Sequence, residues 1–494
     1  MEVKEVGAKI FSGALWSVLM RMSMRLLGLV SVVILARLLV PEDYGLIAKA
    51  IFLANFLEMI TQFGFEAAII RDQKASKTDF DTVWTLTIFR ALILGIVLAA
   101  TAPLMAIFFD EPLIENVIYL YAVATIVLGF VNVGVVQFRK DMNFEKDFNF
   151  NLSRKVVSFL VTIAVALVYK SYWAFPIGVT VGNLFAVVYS FYLSPFRPRI
   201  TFESFSKIFH FSKWMFVFEF IAGLSSQLDT LMISKLGDNR QLGLFTVSHQ
   251  LAAMPSQEVA MPVARSLLPG LSKLSDRMDD FRTMYSNIIS HILLFAAPAA
   301  IGVSALSDEV AAVVLGEKWL DAGPYVEILA LFGLARVIFS CASSALAASD
   351  NPKALGLFSL FNLLVKLALL PIGFYFYGVL GIVYAVLVTG VISMLFLLGM
   401  QQIKGVISLP LLLVRIWKTL VASLLMYLAI RIWLLPYLAP FEWSVLFVAI
   451  VGVVFGVVVF LTLMAILHIA FPSFIGPEQD VIEFVKRKVR RAKC

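Results

Sequence analysis

The chain has 494 residues, of which 61% are hydrophobic and only 15% are charged, and its formal net charge is +7. Soluble globular domains carry about 25% charged residues, so this composition excludes an ordinary soluble protein and indicates a protein of the lipid bilayer. The two cysteines, Cys341 and Cys494, exclude a disulfide scaffold, and the four histidines are not spaced as metal ligands. We therefore expect no metal and no cofactor.

The first apolar run lies close to the N-terminus. The stretch "MEVKEVGAKIFSGALW" (1–16) contains lysines but no short apolar core followed by a cleavage site, and the apolar residues continue to Val40. A secretory signal peptide would end in small residues after such a core. We interpret the run as the first membrane span.

Apolar runs of about 20 residues, the length of a helix that crosses the hydrocarbon core, recur along the chain. They predict an all-α polytopic membrane protein with about 14 transmembrane helices. No segment alternates as a membrane β-strand does. The predicted spans are 12–38, 44–66, 82–104, 114–136, 152–169, 173–193, 213–234, 243–264, 284–305, 323–347, 355–375, 379–400, 414–434 and 443–469.

The distribution of Lys and Arg predicts the orientation. The N-terminus, every second loop and the C-terminal tail hold 28 of the 40 basic residues, whereas the opposite loops hold five. Because basic loops stay in the cytoplasm, we expect both termini to be cytoplasmic. The positive net charge then reflects topology and anionic lipid, so we expect no nucleic-acid partner.

Two stretches of the chain repeat at an offset of 198 residues. The aligned positions share an aromatic start, a basic end and a Gly-Leu pair: Trp16 with Trp214, Arg37 with Lys235, and Gly45-Leu46 with Gly243-Leu244. Parallel repeats around an axis along the membrane normal are typical of transporters. We predict two pseudo-symmetric six-helix lobes around a central cavity (1–200 and 201–405), two C-terminal spans (406–470) and a basic tail (471–494).

Five stretches resemble the landmarks of bacterial polysaccharide exporters, the oligosaccharide flippases of the multidrug/oligosaccharidyl-lipid/polysaccharide superfamily. They are "ILARLLVPEDYGLIA" (34–48), "FGFEAAIIRD" (63–72), "QFRKDMNFEK" (137–146), "GLFTVSHQLAAMPSQEVAMPVARSLLPGLSKL" (243–274) and "LGEKWLDAGPYVEILAL" (315–331). The resemblance covers nearly the whole chain. It implies a transporter of the bacterial inner membrane that turns a polyprenyl-diphosphate-linked oligosaccharide to the outer leaflet for surface polysaccharide or lipopolysaccharide synthesis, and it leaves open a complex with a polysaccharide polymerase.

Four cations lie deep inside predicted spans and are candidates to bind the diphosphate of such a cargo. Arg21 and Arg25 are one helical turn apart on one face of span one, and Arg336 and Lys366 fall near the midplane in the second half. An unpaired charge at mid-bilayer costs at least about 2.5–3.5 kcal/mol, so these side chains face protein or water. The alternative is that they form structural pairs with acids of neighbouring helices.

Four acids of the second half are candidates for coupling to H⁺ or Na⁺: Glu219, Asp229, Glu258 and Glu327. A carboxylate in a low-dielectric environment can hold a proton, and several can hold a Na⁺. Glu219 occupies the repeat position of Arg21. The alternative is that Glu219 and Asp229 neutralise Arg336 and Lys366.

Two further charged features have structural interpretations. Glu58 in span two and Arg90 in span three lie at similar depths, and we predict an ion pair between them because a lone buried charge is costly. The tail "VIEFVKRKVRRAKC" (481–494) mixes apolar residues with six cations, which is typical of an amphipathic helix on the anionic inner leaflet.

Three other functions compete with oligosaccharide export. A multidrug or cation antiporter of the same superfamily would favour acidic groups in both lobes, whereas span one is doubly basic. A flippase for the lipid precursor of peptidoglycan fits the basic residues, but the landmark stretches resemble the polysaccharide exporters more. An oligosaccharide ligase or polymerase would need a catalytic segment outside the membrane, and residues 307–323 offer no acid–base constellation. We therefore do not expect an enzyme.

The charge distribution predicts that a reporter fused after residue 110 lies outside and one fused after residue 494 lies inside. Paired alkaline phosphatase and fluorescent-protein fusions at the two positions measure this directly. Activity of the same reporter at both positions would contradict the orientation and the even number of spans.

Overall fold

The computed structural model describes residues 3–61, 65, 69, 75–141, 143–205, 223–272, 274, 277–349, 352–441, 443–474 and 476–480. Inside these ranges the side chains of 3–15, 17–18, 21, 60, 255–270, 272, 347–348 and 352–353 are not described. The described residues form helices and no strand, and eight helices, or nine counting a bent pair, are long and apolar enough to cross a membrane. The prediction of an all-α, multi-pass membrane protein is confirmed, while the count of fourteen spans stays a prediction.

The chain forms two compact units, Met1–Gly243 and Leu244–Cys494. In the first unit α3 (Lys77–Phe109) packs on α4 (Leu113–Gly129), and α5 (Phe144–Tyr169) packs on α6 (Ala174–Leu193) and on α1 (Val3–Leu38). The predicted lobes, with their boundary at residue 200, stay a prediction. The helices of the first unit are α1 (Val3–Leu38), α2 (Pro41–Thr61), α3 (Lys77–Phe109), α4 (Leu113–Gly129), α5 (Phe144–Tyr169), α6 (Ala174–Leu193), α7 (223–236) and the first residues of α8 (Asn239–Ser272).

The predicted span 114–136 is bent. Helix α4 ends at Gly129, and the helical segment Val133–Lys140 runs at 66° to it. Asn132, fully buried at the bend, donates from its side-chain amide to the Phe196 carbonyl (2.7 Å) and accepts from the Gly134 N–H (2.9 Å). Inside apolar surroundings a broken helix needs such partners for its backbone, and Asn132 supplies one of them.

The second unit contains a contiguous apolar core. Helix α9 (Met278–Ala305) packs on α10 (Gly323–Ala348) and α12 (Leu409–Leu428). Helix α10 also packs on α11 (Pro352–Ile403), and α12 packs on α13 (Val445–Ala470). Phe281 and Tyr285 of α9 are fully buried in this core beside Leu346 of α10. The helices of the second unit after α8 are α9 (Met278–Ala305), α10 (Gly323–Ala348), α11 (Pro352–Ile403), α12 (Leu409–Leu428) and α13 (Val445–Ala470), with a short helix, Ser307–Leu315, before α10.

Helix α11 is a hairpin of two helices. The backbone leaves the helical region at Tyr377 and at Gly378, whose φ of 60° favours glycine. A Cβ atom on Gly373 would overlap the carbonyl of Gly381, and a Cβ on Gly381 would overlap that of Gly373. Since these residues would be far apart in one straight helix, the chain doubles back here, as the separate predicted spans 355–375 and 379–400 require.

The sequence repeat reappears as a contact where α2 and α8 begin. A Cβ on Gly45 would overlap the carbonyl of Asn239, and a Cβ on Gly243 would overlap that of Pro41, which lies 198 residues before Asn239. At the same offset, Arg240 forms an ion pair with Glu42 (3.1 Å). Equivalent positions of the two copies therefore meet each other, as they do around a local two-fold axis.

We expect Gly45→Ala to destabilise the protein by about 1–3 kcal/mol, because the new methyl group meets a backbone carbonyl that cannot move aside cheaply. Gly28→Ala in α1 is the matched control, since a Cβ there meets nothing within 4 Å. Thermal unfolding of the detergent-purified variants measures the difference. Equal stability of both variants would contradict the close crossing.

Candidate functional site

Arg21 and Arg25 both lie on α1, which packs on α5. The side chain of Arg21 lies outside the described residues. The side chain of Arg25 is half-buried and interacts within the structure. Helix α1 runs through both positions, and the role of Arg21 and Arg25 in binding cargo stays a prediction.

Arg336 and Lys366 lie on neighbouring helices of the second unit. Arg336, half-buried on α10, places Nη1 3.2 Å from Nε2 of His249 on α8. Lys366, in the first arm of the α11 hairpin, is only 6% exposed and also interacts within the structure. Both cations are therefore partly or fully shielded from the surroundings by the second unit.

The four predicted coupling acids differ in whether the structure describes them and in what they contact. Glu219 and the side chain of Glu258 lie outside the described residues. Asp229 on α7 is buried and interacts within the structure. In the described ranges no three His, Cys, Asp or Glu side chains converge as metal ligands would.

Glu327, the fourth acid, is part of a charged network near the start of α10. Its carboxylate accepts hydrogen bonds from Tyr427 Oη (2.8 Å) and Arg431 Nη2 (3.1 Å). Arg431 also bonds the Ser307 hydroxyl (3.0 Å) and the carboxylate of Asp308 (3.3 Å). Arg431 lies in a π-helical segment, Ala429–Leu434, where the helix is locally widened. Glu327 is thus a counter-ion of Arg431, and its role in coupling stays a prediction.

The structure does not bring Glu58 and Arg90 together. Among the ion pairs of the described residues none joins the two, although Arg90 is half-buried on α3. Glu58 is exposed near the end of α2 and interacts electrostatically with Arg154 of α5. Equal depth along two helices does not place two side chains on facing sides, so the sequence could not choose between these partners.

Lys49 is a charged residue whose burial the sequence did not indicate. It lies near the start of α2, where its long side chain could have reached the membrane surface, yet it is only 3% exposed. Its Nζ lies 5.6 Å from the centre of the Phe109 ring. A cation over an aromatic face is attracted by the ring quadrupole, which offsets part of the cost of burial.

A second network missed by the sequence analysis joins α12 to the residues that follow α13. Lys418, which is fully buried, donates to the Phe474 carbonyl (2.7 Å) and to Glu478 (3.0 Å). Arg415 donates to Asp480 (2.5 Å), which also lies 3.3 Å from His291 Nε2. The acids Glu478 and Asp480 thereby tie residues 476–480 to α12 and α9. The predicted basic tail, 481–494, lies outside the described residues.

The helices, their length and their apolar surfaces define a multi-pass membrane protein. Residues 34–324 match the family described as "Polysaccharide biosynthesis protein", and because this is more than half of the chain, the protein belongs to that family. The chain is 21% identical to the lipopolysaccharide biosynthesis protein WzxC of Escherichia coli K12, over 78% of this chain and 79% of WzxC. It is 26% identical to the succinoglycan biosynthesis transport protein ExoT of Rhizobium meliloti, over 64% of each chain.

Two solved structures share the fold. The lipid II flippase MurJ in an inward closed conformation matches with a TM-score of 0.73 and 16% identity, over 92% of this chain and 99% of MurJ. An inward-facing multidrug resistance MATE family transporter of the MOP superfamily matches with a TM-score of 0.60 and 15% identity, over 78% of this chain and 95% of the transporter. At these identities the similarity establishes the fold, and it agrees with the resemblance read from the sequence.

We expect Lys418→Met to destabilise the protein by about 3–5 kcal/mol, because it leaves the buried carboxylate of Glu478 without its cation. Arg240→Met, which removes the half-exposed partner of Glu42, is the control and should cost at most about 1 kcal/mol. Thermal unfolding measures both. The double variant Lys418→Met/Glu478→Gln should regain part of the loss, and a double variant no more stable than Lys418→Met would contradict the buried pair.

Proposed function

We propose that the protein transports an oligosaccharide linked to a polyprenyl diphosphate from the cytoplasmic to the outer leaflet of the bacterial cytoplasmic membrane. The observation that carries the proposal is the match of residues 34–324 to the polysaccharide biosynthesis family in a chain with the fold of a lipid flippase over 92% of its length. The transported oligosaccharide would then serve the synthesis of a surface polysaccharide.

The chemistry of the four candidate cations supports an anionic cargo. Guanidinium groups form paired hydrogen bonds with phosphate oxygens and keep their charge at any physiological pH. Arg21, Arg25 and Arg336 supply such groups, and Lys366 adds a point charge. The rival function, export of cationic drugs, would require acids in place of these cations. The names of the relatives, which include a transport protein, favour transport over ligase or polymerase activity.

Energy coupling is the second element of the proposal. Asp229 is a carboxylate buried on α7, where a bound proton or Na⁺ would change the local charge by one unit. We propose that Asp229 acts with Glu219 and Glu258 in coupling transport to an ion. Glu327 is the weakest of the four candidates because Arg431 and Tyr427 already hold its carboxylate.

The orientation completes the proposal. Both termini would lie in the cytoplasm, where the tail 481–494 would contact anionic lipid with its six cations. A polysaccharide polymerase acting on the opposite side of the membrane would be a suitable partner, since it would receive the transported oligosaccharide.

We expect Arg25→Ala to reduce surface polysaccharide about tenfold or more, since a hydrogen bond to a charged group contributes about 1.5–3 kcal/mol. The undelivered lipid-linked oligosaccharide should accumulate in the inner leaflet. Arg277→Ala is the control, because Arg277 is an exposed cation whose ion pair is with the exposed Asp280. Normal surface polysaccharide from an Arg25→Ala variant present at wild-type level would remove Arg25 from the substrate site.

A further inference from the structure

The contact between His249 and Arg336 joins a candidate cargo-binding cation to a titratable ring. His249 lies on α8 and Arg336 on α10, both half-buried, with 3.2 Å between Nε2 and Nη1. The centroid of the imidazole lies 5.9 Å from that of the Phe245 ring and 6.4 Å from that of the Phe332 ring. Two aromatic rings, one on α8 and one on α10, therefore neighbour the imidazole.

The direction of this hydrogen bond follows from the chemistry of the two groups. A guanidinium carries only donors, so Nε2 of His249 must accept and cannot itself carry a proton. If Nε2 of His249 gained a proton, two cations would face each other and the bond would break. The Arg336–His249 bond and the protonated form of His249 therefore exclude each other.

Arg336 is the charged residue of α10 that faces His249. The other charged residue of that helix, Glu327, lies nine positions earlier and is held by Arg431 and Tyr427 of the α12 segment. His249 itself lies on α8, whose charged residues are Arg240, Glu258 and Arg265.

We propose that His249 is a proton-responsive positioning residue for the anionic end of the cargo. In its neutral form His249 accepts a hydrogen bond from Arg336, and proton uptake by His249 breaks this bond and places a second cation beside the guanidinium, which favours binding of a phosphate group. Histidine is the side chain that ordinarily gains and loses its proton between about pH 5 and 8. The inference rests on the proposed function, in which Arg336 binds the diphosphate.

Binding of a proton and binding of the diphosphate must then favour each other equally, because linkage is reciprocal. The test uses the full-length protein in lipid nanodiscs with undecaprenyl diphosphate as the probe and undecaprenol as its uncharged counterpart. Affinities are measured at pH 6 and pH 8. The diphosphate also changes its charge between pH 6 and pH 8. The informative quantity is therefore the difference between wild type and variant in how the affinity changes with pH.

His249→Gln keeps an acceptor for Arg336 but cannot take up a proton. From pH 8 to pH 6, we expect the affinity of the wild type for undecaprenyl diphosphate to rise relative to that of His249→Gln by about fivefold or more. His291→Gln, which changes the half-buried histidine beside Asp480, should behave as wild type. His249→Asn serves as a second non-titrating variant if His249→Gln does not fold.

The outcomes separate the two proposals. The same pH dependence in wild type and in the His249 variants, with the diphosphate still preferred over undecaprenol, would overturn the role of His249 and leave the transport function intact. No preference of the wild type for the diphosphate over undecaprenol at either pH would overturn the proposed cargo, and the role of His249 with it.

Discussion

The cost of placing a charged side chain in hydrocarbon governs how the helices of this protein pack. Burying a charge without a partner costs free energy, so charged residues within apolar helices form ion pairs or hydrogen bonds with residues of other helices. Lys418 with Glu478 and Arg431 with Glu327 join parts of the chain that are 60 and 104 residues apart. Each pair fixes which sides of two helices face each other, and packing of the apolar residues then follows.

Small residues complement these charges where helices come closest. Between helices in lipid there is little hydrophobic driving force, so close backbone approach at glycine is one of the main sources of contact. Gly45 and Gly243 allow the first turns of α2 and α8 to touch, and Gly373 and Gly381 allow the arms of the α11 hairpin to do so. Gly45 and Gly243 occupy the same position in the two copies of the 198-residue repeat. Duplication of one sequence therefore supplied both helices of this contact.

Features of the fold that depend on the apolar character of a short segment, or on the constant 198-residue spacing between the two copies of the repeat, could be predicted from the sequence. The helical membrane architecture, the reversal between residues 375 and 379 and the repeat are of this kind. The pairing of charges could not be predicted, because depth along a helix says nothing about the direction in which a side chain points. Arg90 lies at the depth of Glu58, but Arg154 is the cation that interacts with it. The bend at Asn132 was missed for a related reason, since the hydrogen bonds that stabilise it come from residues near 190 and 196.

The sheltered cations of the second unit differ in the chemistry of the groups that they contact. Lys418, Arg415 and Arg431 are bonded to carboxylates, which neutralise them and leave little attraction for an anionic ligand. The bond from Arg336 to His249 differs from these ion pairs, because its acceptor is an uncharged imidazole nitrogen. Such a bond orients the guanidinium, and a single proton on the imidazole breaks it. Such a bond suits a cation that must take up and release an anionic cargo in each cycle.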